Sequence, residues 1–341
     1  MAIKYLLPKE GKFYKANLHA HSTLSDGRLS PAEMKAAYKE RGYSVLCITD
    51  HELLLDHSDL NDPDFLMLTG YELSVTEKHT ADGWPLAKTC HMNFYSPRPD
   101  YTKYVCYSPE HYNDHMRESL NMADVPEETY KREYTPECIT DMVRQAHEAG
   151  FLCSYNHPDW SLETDAQYLK YKGFDMMELH NHGCAVNGLD EDNAWVYDQM
   201  LRAGRRLSAS ATDDNHNPLP VDHPQTGSFG GYVWIKAPSL AYEDIWNALR
   251  FGDFYASTGG PEITSLTLED GVVRLTCTGA RSIAMQNASR RVPTVYTTDD
   301  APVTELSFRL VGDERYIRFT VTGFDGHRSQ TRAYFLDELG L

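Results

Sequence analysis

The pattern of apolar and polar residues changes near residue 258. Before this point, short apolar runs alternate with amphipathic segments, as in proteins whose strands and helices alternate. The apolar runs predict buried strands at residues 15–18, 44–49, 65–69, 90–95, 151–155, 174–179, 206–210 and 232–236. Helical periodicity predicts helices at residues 137–149, 164–171, 193–203 and 242–251. We therefore expect a parallel sheet or an α/β barrel in this part of the chain.

The best-marked helix begins after Ser30. Ser30 can cap the helix, Pro31 occupies its first position, and Glu33 stands where a capping box requires an acidic residue. Gly42 marks the end of this helix, because glycine adopts the left-handed conformation that commonly terminates helices. A buried strand is predicted directly afterwards.

Two regions depart from the alternation. Residues 97–135 are rich in Tyr, Pro and charge and indicate a surface insertion, which either forms a lid or packs on the barrel. After Ser257 the helical period disappears and segments of alternating polarity flank two Asp-Gly turns, at residues 263–278 and 316–335. We predict a barrel over residues 1–258 and a small β-sandwich-like domain over 259–341, with Gly259-Gly260-Pro261 at the boundary.

Composition narrows the class of protein. The chain has 32 Lys and Arg against 50 Asp and Glu, which gives a formal net charge of −18 and argues against binding long nucleic acid. Its apolar stretches are too short for a signal peptide or a membrane span. The seven cysteines are scattered without a CxxC pair. We therefore expect a cytoplasmic protein without disulfides or a cysteine zinc site.

The 15 histidines include several at the predicted strand ends, where acidic residues also occur. His19 and His21 share a face of an extended chain because side chains alternate along a strand. In an α/β barrel the carboxyl ends of strands meet on one face. The candidate metal ligands at such positions are His19, His21, Asp26, His51, Glu72, His91, His157, Asp214 and His216.

Nitrogen and oxygen donors without thiolate suit Mn, Fe or Zn. Nine candidate ligands exceed the needs of one ion, so we expect two or three divalent cations, with Glu72 as a bridging carboxylate. Paired cations activate water to hydroxide and stabilise both oxygens of a displacement.

The ordered motifs resemble those of the PHP family, named for polymerase and histidinol phosphatase domains. The resemblance covers residues 15–258 and rests on His19-x-His21, Ser25-Asp26-Gly27, Ile48-Thr49-Asp50-His51, Gly70-Tyr71-Glu72, His91, Asn156-His157-Pro158 and Asp214-x-His216. It implies a distorted (β/α)7 barrel and metal-dependent phosphoesterase activity. The tail, including residues 254–259, resembles the small β domain that follows the barrel in some bacterial members.

The resemblance also implies a division of ligands among three ions. The first ion would be held by His19, His21, Glu72 and Asp214, the second by Asp26, His51 and His157, and the third by Glu72, His91 and His216. Glu72, Asp214 and His216 would be the catalytic residues. Many members have a single Asp in the last motif, whereas this chain has Asp213 and Asp214. Spacing favours Asp214 as the ligand, with Asp213 supporting it.

Other polar residues are candidates for substrate binding. His180 and His182 cluster with Glu178 at a strand end, where they either contact substrate or are solvated beside a capping Asn181. Arg206 could contact phosphate or belong to an ordinary charge pair, and His223 could line the pocket. Asp50 is expected to orient a ligand histidine by a hydrogen bond.

These observations predict a hydrolase of small phosphate esters, phosphomonoesters or nucleotides, with a metal-bridging hydroxide as nucleophile. Two alternatives stay open. The same hydroxide could attack another ester, an amide or a phosphonate, or the barrel could be an inactive metal-binding interaction module. The expected partner is a small phosphorylated molecule, with neither a membrane nor long nucleic acid; homo-oligomer formation is open.

Overall fold

The computed structural model describes residues 3–78, 84–190 and 192–341. Its strands are β1 (Lys4–Tyr5), β2 (Lys12–Asn17), β3 (Val45–Ile48), β4 (Leu66–Thr76), β5 (Thr89–Tyr95), β6 (Leu152–Tyr155), β7 (Met176–Asn181), β8 (Ser208–Thr212), β9 (Tyr232–Ala237), β10 (Phe254–Ser257), β11 (Ile263–Glu269), β12 (Val272–Ala280), β13 (Ser282–Asn287), β14 (Thr294–Tyr296), β15 (Val303–Arg309), β16 (Tyr316–Thr322), β17 (Arg328–Thr331) and β18 (Tyr334–Phe335). Its α-helices are α1 (Pro31–Glu40), α2 (Asp114–Glu118), α3 (Pro136–Glu148), α4 (Asp165–Tyr168), α5 (His182–Val186), α6 (Ala194–Arg202), α7 (Tyr242–Phe251) and α8 (Leu336–Leu339).

A large mixed sheet runs through the molecule in the order β14-β13-β16-β17-β10-β9-β2-β3-β4-β5-β6-β7-β8. The mixed α/β fold with a large sheet agrees with the fold class expected from sequence. The pairing is not uniformly parallel, however. β2, β3 and β4 are parallel, as are β6, β7 and β8, but β5 is antiparallel to both β4 and β6. The expectation of a parallel sheet was therefore wrong at β5, and also at β9, which is antiparallel to β2.

The structure does not show the closed (β/α)7 barrel that was expected. β9 lies antiparallel along one edge of β2 as far as Ala16, so β8 does not pair with that edge. Beyond the end of β2, an isolated parallel bridge joins Ala20 to Asn215. The sheet therefore curls until the chain after β8, its last strand, meets the chain after β2 at this bridge, which lies at the strand ends that carry the candidate ligands.

Helix α1 shows how local sequence positions a residue that supports the site. Ser30 and Glu33 form the predicted capping box, with the Glu33 carboxylate accepting from the Ser30 backbone N–H at 2.8 Å. Gly42 follows the helix with a φ of +77°. The helix buries Met34 and Tyr38 against the sheet. The Tyr38 hydroxyl thereby reaches the chain just after β8.

The insertion at residues 97–135 packs on the rest of the molecule, and a role as a lid stays a prediction. Its Tyr104, Tyr107 and Tyr112 side chains are buried in the core cluster that contains β4 and β5. Arg132 is also buried and forms a bidentate ion pair with Glu52. The insertion is thus held by apolar contacts and by a buried charge pair.

The C-terminal β unit consists of two sheets around a common core. β1, β11, β12 and β15 form one sheet, whereas β13, β14, β16 and β17 continue the large sheet through β10. The predicted hairpin between β11 and β12 turns at Asp270 and Gly271, both with positive φ. The predicted boundary falls between β10 and β11 and stays a prediction. Among the helices of the described segments, none combines the length and apolarity needed to cross a bilayer.

Candidate metal centre

The structure brings all nine candidate ligands together at one edge of the sheet. His19 and His21 follow β2, and Asp26 lies on the loop before α1. β5 is antiparallel to its neighbours β4 and β6. The beginning of β5, where His91 lies, is therefore at the same edge of the sheet as the ends of β4 and β6. The ligand atoms form four close groups: His21, Asp26, His51 and His216; His19, His21 and Glu72; His19, His157 and Asp214; His51, Glu72 and His91.

Glu72 lies at the centre of this cluster, with a side chain that is only 1% exposed. Its oxygens lie within 3.5 Å of five ring nitrogens: His19 Nε2, His21 Nε2, His51 Nδ1, His91 Nδ1 and His157 Nε2. Burial alone would raise the pKa of Glu72, but the imidazoles of His91 and His19 hold this pKa well below its usual range. The carboxylate is therefore ionised and central, as a bridging ligand would be.

Asp214, rather than Asp213, faces the cluster. Oδ1 of Asp214 lies 3.1 Å from His19 Nε2 and 3.0 Å from His21 Nε2. The Asp213 carboxylate is instead bound by the Tyr38 hydroxyl at 2.7 Å and by three backbone N–H groups, at residues 229–231. Asp213 thus anchors the chain beside Asp214 while its own oxygens are occupied.

The grouping of donors corrects the division among ions that the resemblance implied. His216 had been placed with Glu72 and His91, but its Nε2 lies 3.4 Å from Asp26 Oδ1. His157 had been placed with Asp26, but it lies with His19 and Asp214. His216 therefore lies with the donors expected for the second ion, and His157 lies with two donors expected for the first. Motif order along the chain does not fix these neighbours, because they depend on how the curled sheet closes.

Several residues outside the four ligand groups orient the candidate ligands by hydrogen bonds. Oε1 of Glu178 lies 2.6 Å from His19 Nδ1, and Asn156 Nδ2 donates to Glu72 Oε1 at 2.8 Å. Asn181 Nδ2 donates to both Glu178 and Asp214. Sequence reasoning found Glu178 at a strand end but missed this role. The signal was its position on β7, two residues before His180, at the same sheet edge as the ligands.

The structure assigns Asp50 a role different from the expected one. Its carboxylate accepts hydrogen bonds from the backbone N–H of Ser22 at 2.7 Å and from the hydroxyls of Ser22 and Ser25 at 2.6 and 2.5 Å. Asp50 therefore fixes the loop that carries Asp26, whereas the expectation was that it would orient a ligand histidine.

The hydrogen bonding of the nine candidate ligands is consistent with a site for divalent cations. Four of its atoms are buried without a hydrogen-bond partner among the described residues: His21 Nδ1, Glu72 Oε2, His91 Nδ1 and Asp214 Oδ1. Buried polar atoms in native proteins are normally paired, so such atoms facing one another call for a ligand that accepts lone pairs. Mixed imidazole and carboxylate donors suit Mn, Fe or Zn.

A cavity of about 300 Å³ opens beside the cluster. The cluster side is lined by His51, Glu72, His91, His157, Asp214 and His216. The other side comes from the segment after β7 and the loop after β8. A second cavity of about 400 Å³ shares His51, His91 and Trp160 with the first. The candidate ligands are therefore accessible from two directions.

Arg206 is not at the cavity. It precedes β8, at the strand end opposite to the cluster, and pairs with Asp337 at 2.5 Å. The prediction that it binds substrate is replaced by the ordinary charge pair that was its alternative. His223 lies exposed on the loop after β8, where its Nδ1 accepts from the Gln225 backbone at 3.1 Å. Neither residue lines the two cavities.

His180 and His182 pair with each other near the β unit. Their ring centroids are 5.8 Å apart, and neither ring lines the cavities at the cluster. Burial and the neighbouring His182 lower the pKa of His180 to about 4. The structure thus places both histidines behind the cavity wall, although the segment that begins at His182 forms part of that wall.

Comparisons with known proteins give structural similarity alone. No family model and no curated protein matches the sequence. A two-domain protein of Bacteroides vulgatus, described as containing a predicted PHP-like metal-dependent phosphoesterase, is similar at 16% identity and a TM-score of 0.43, over 97% of this chain and 98% of that one.

Two further structures are similar over less of the chain. One is a candidate metal-dependent phosphoesterase from Bifidobacterium adolescentis, with 15% identity, a TM-score of 0.38 and coverage of 64% and 92%. The other is an amidohydrolase from Chromobacterium violaceum with sulfate and no metal bound, with 17% identity, a TM-score of 0.38 and coverage of 70% and 96%.

Proposed function

We propose that this protein is a metal-dependent hydrolase of small phosphate esters, phosphomonoesters or nucleotides. The observation that carries the proposal is the buried cluster around Glu72, in which histidine nitrogens and carboxylate oxygens face one another. Divalent cations held by such donors supply activated water and neutralise the charge that develops on a phosphoryl group. The adjoining cavity gives a small substrate access to the donors.

Two or three cations account for the four donor groups. His19, His21, His51 and Glu72 each belong to two of the groups, so the groups overlap. We assign Glu72 as the shared carboxylate, and Asp26 and Asp214 as the carboxylates at the two sides of the cluster. Glu72 and Asp214 are also the catalytic residues we propose, since they hold the groups that react.

The remaining residues keep the donors in position. Glu178 accepts from Nδ1 of His19, which leaves the Nε2 lone pair toward the cluster. Asn156 and Asn181 each donate to one oxygen of a ligand carboxylate and leave the other oxygen for a cation. His216 is 35% exposed and lines the cavity, so it is the ligand that we assign to contact with substrate.

The test is turnover by the full chain after metal removal and reloading with Mn, Fe or Zn. The panel contains phosphomonoesters, nucleotides, phosphodiesters, carboxyl esters and amides. We expect phosphate ester hydrolysis that falls by roughly 100-fold or more in Glu72→Gln, which retains the side-chain volume but loses the charge. His327→Ala, at an exposed position on the β unit, is the matched control and should retain activity.

Other outcomes would overturn the proposal in distinct ways. Turnover confined to carboxyl esters or amides would replace phosphate chemistry with attack at a carbonyl carbon. Tight cation binding without turnover of any compound would indicate a metal-binding interaction module. Glu72→Gln with full activity would remove the cluster from the reaction.

A further inference from the structure

We infer that the cavity beside the cluster binds an uncharged leaving group, so that the substrate carries one phosphate and no second anionic group. The inference rests on the proposed function and narrows its substrate class. It starts from the chemistry of the cavity wall opposite the metal ligands, which is formed by Gly183, Cys184, Val186, Asn187 and Leu189 and by Pro218, Gln225, Thr226 and Gly227.

That wall is uncharged. Val186, Leu189 and Pro218 supply apolar surface, and Asn187 and Gln225 supply amide groups for hydrogen bonds. Among the described residues that line this cavity, there is no Lys or Arg. The charged side chains of the cavity are Glu72 and Asp214, which belong to the donor set. A cation for a second phosphate is therefore missing from the wall.

The second cavity offers no alternative place for an anion. Its described lining also contains no Lys or Arg, and it includes the carboxylates of Asp26 and Glu52. Arg132 is near Glu52, but it is buried and both of its terminal nitrogens are bonded to that carboxylate. An anionic group on the leaving side would lose its hydration without gaining an opposite charge, which is costly in a confined site.

The uncharged wall is also held firmly in place. Gly183 donates to the Asp213 carbonyl at 2.7 Å, and a methyl group at Gly183 would lie 2.7 Å from the carbonyl oxygens of both Asp213 and Asp214. Across the cavity, Asn217 Nδ2 donates to the hydroxyls of Thr226 and Ser228. The segment after β7 is therefore packed directly on the backbone of a metal ligand, and the loop after β8 is cross-linked within itself.

Charge and size together set the substrate class. A volume of about 300 Å³ lies at the small end of ligand cavities. Monophosphates of small neutral alcohols satisfy both limits. Nucleoside monophosphates satisfy the charge limit, whereas nucleoside diphosphates, triphosphates and sugar bisphosphates do not. The cations would neutralise the reacting phosphate, and the described lining of the cavity has no Lys or Arg to neutralise another.

The test compares two ligands that differ by a single charge. Benzylphosphonate with a para-carboxamide and benzylphosphonate with a para-carboxylate have nearly the same shape. Their dissociation constants are measured by calorimetry on the manganese-loaded full chain. We expect the carboxamide to bind at least about tenfold more tightly, and Leu189→Lys to shift this ratio at least about tenfold toward the carboxylate.

Leu189→Gln, which adds a polar group of similar length without charge, is the matched control and should retain the native ratio. Equal binding of the two probes, tighter binding of the carboxylate, failure of both to bind, or an unchanged ratio in Leu189→Lys would overturn the inference. The corresponding aryl phosphates are assayed for turnover in parallel. Turnover without charge preference would sink the inference alone, whereas charge preference without turnover would sink the phosphoesterase proposal alone.

Discussion

Oε1 of Glu178 lies 2.6 Å from Nδ1 of His19, and both side chains are fully buried. The hydrogen bond fixes the plane of the His19 ring. Nε2 of the same ring consequently points between Glu72 and Asp214, at 3.2 and 3.1 Å. Glu178 thus controls a donor shared by two of the groups without itself belonging to either of them.

Replacing Glu178 with Gln should weaken divalent cation binding by roughly 10–100-fold, because partners that orient a metal-binding imidazole contribute about this much to affinity. The amide keeps the volume but loses the charge that supports the imidazole. Competition with a chromophoric chelator measures the affinity. Glu305→Gln, at a position 44% exposed on β15, is the control and should bind as the native protein does. Equal affinities for all three proteins would contradict this role.

Cation binding should release protons at neutral pH. Burial lowers the pKa of His51, but the carboxylates of Glu72 and Asp26 outweigh burial and raise it to about 9. His157 reaches a pKa of about 9 in the same way, beside Glu72 and Asp214. Both imidazoles are therefore protonated in the cation-free protein below that pH, whereas a ligand imidazole must be neutral.

Affinity for the cation should consequently rise with pH up to about 9 and level off above it. Calorimetric titrations in buffers of different ionisation enthalpy count the released protons, and we expect at least about one at neutral pH. A binding enthalpy that is independent of the buffer would show that the histidines are already neutral.

The buried pair between Glu52 and Arg132 should be a large contributor to the stability of the insertion. Their side chains are 4% and 2% exposed, and the two charges lie 2.6 Å apart. Arg132→Met leaves a buried carboxylate without its partner, which typically costs about 3–5 kcal/mol of unfolding free energy. Urea denaturation measures the loss.

A second variant distinguishes the loss of the ion pair from the cost of burying an unpaired carboxylate. Glu52→Gln combined with Arg132→Met removes both charges, and we expect this double variant to be more stable than Arg132→Met alone. If the double variant is less stable, by the sum of the two single losses, the pair is not coupled and the explanation fails.

A pH-dependent contribution to stability is expected at His147. The pKa of His147 is raised, chiefly by its hydrogen bond to Oδ2 of Asp175 at 2.9 Å. Because the folded pKa exceeds the unfolded value of about 6.5, the stabilisation is fully present below that pH and is lost as pH rises through the folded pKa.

His147→Gln should therefore lower the unfolding free energy at about pH 5.5 and have almost no effect at about pH 9. The loss should stay below about 1 kcal/mol, since the ring is 38% exposed and solvent screens the pair. Denaturation at both pH values, with His327→Gln as the control at an exposed position, measures the difference. A larger loss of unfolding free energy at about pH 9 than at about pH 5.5 would contradict this prediction.

Local signals predicted much of the site. The capping box of Ser30 and Glu33 and the apolar runs before His19 and His51 depend on residues close in sequence, and the structure contains them. The nine candidate ligands were predicted largely from their places at or near strand ends, and the strands bring them together, although Glu72 lies within β4 and His91 near the beginning of β5. Such features are encoded within a few residues and need no knowledge of the rest of the chain.

Features set by distant pairing were not predicted. Whether β5 runs antiparallel depends on its neighbours, since a buried apolar run has the same pattern in either direction. The placement of His157 beside His19 and Asp214, and of His216 beside Asp26, depends on how the curled sheet brings the chain after β8 to the chain after β2. Arg206 was considered for substrate binding because its side chain is cationic. Its position before β8 places it beside Asp337 instead.

One continuous sheet connects the ligand cluster with the C-terminal β unit. β17 of the C-terminal unit pairs with β10, β10 with β9, and β9 with β2, whose end leads to His19 and His21. At the other side of that unit, β1 pairs with β11. The two units are consequently fastened by backbone hydrogen bonds at two places and share one scaffold. The C-terminal unit thus supports, through β10 and β9, the strand that precedes the first two candidate ligands.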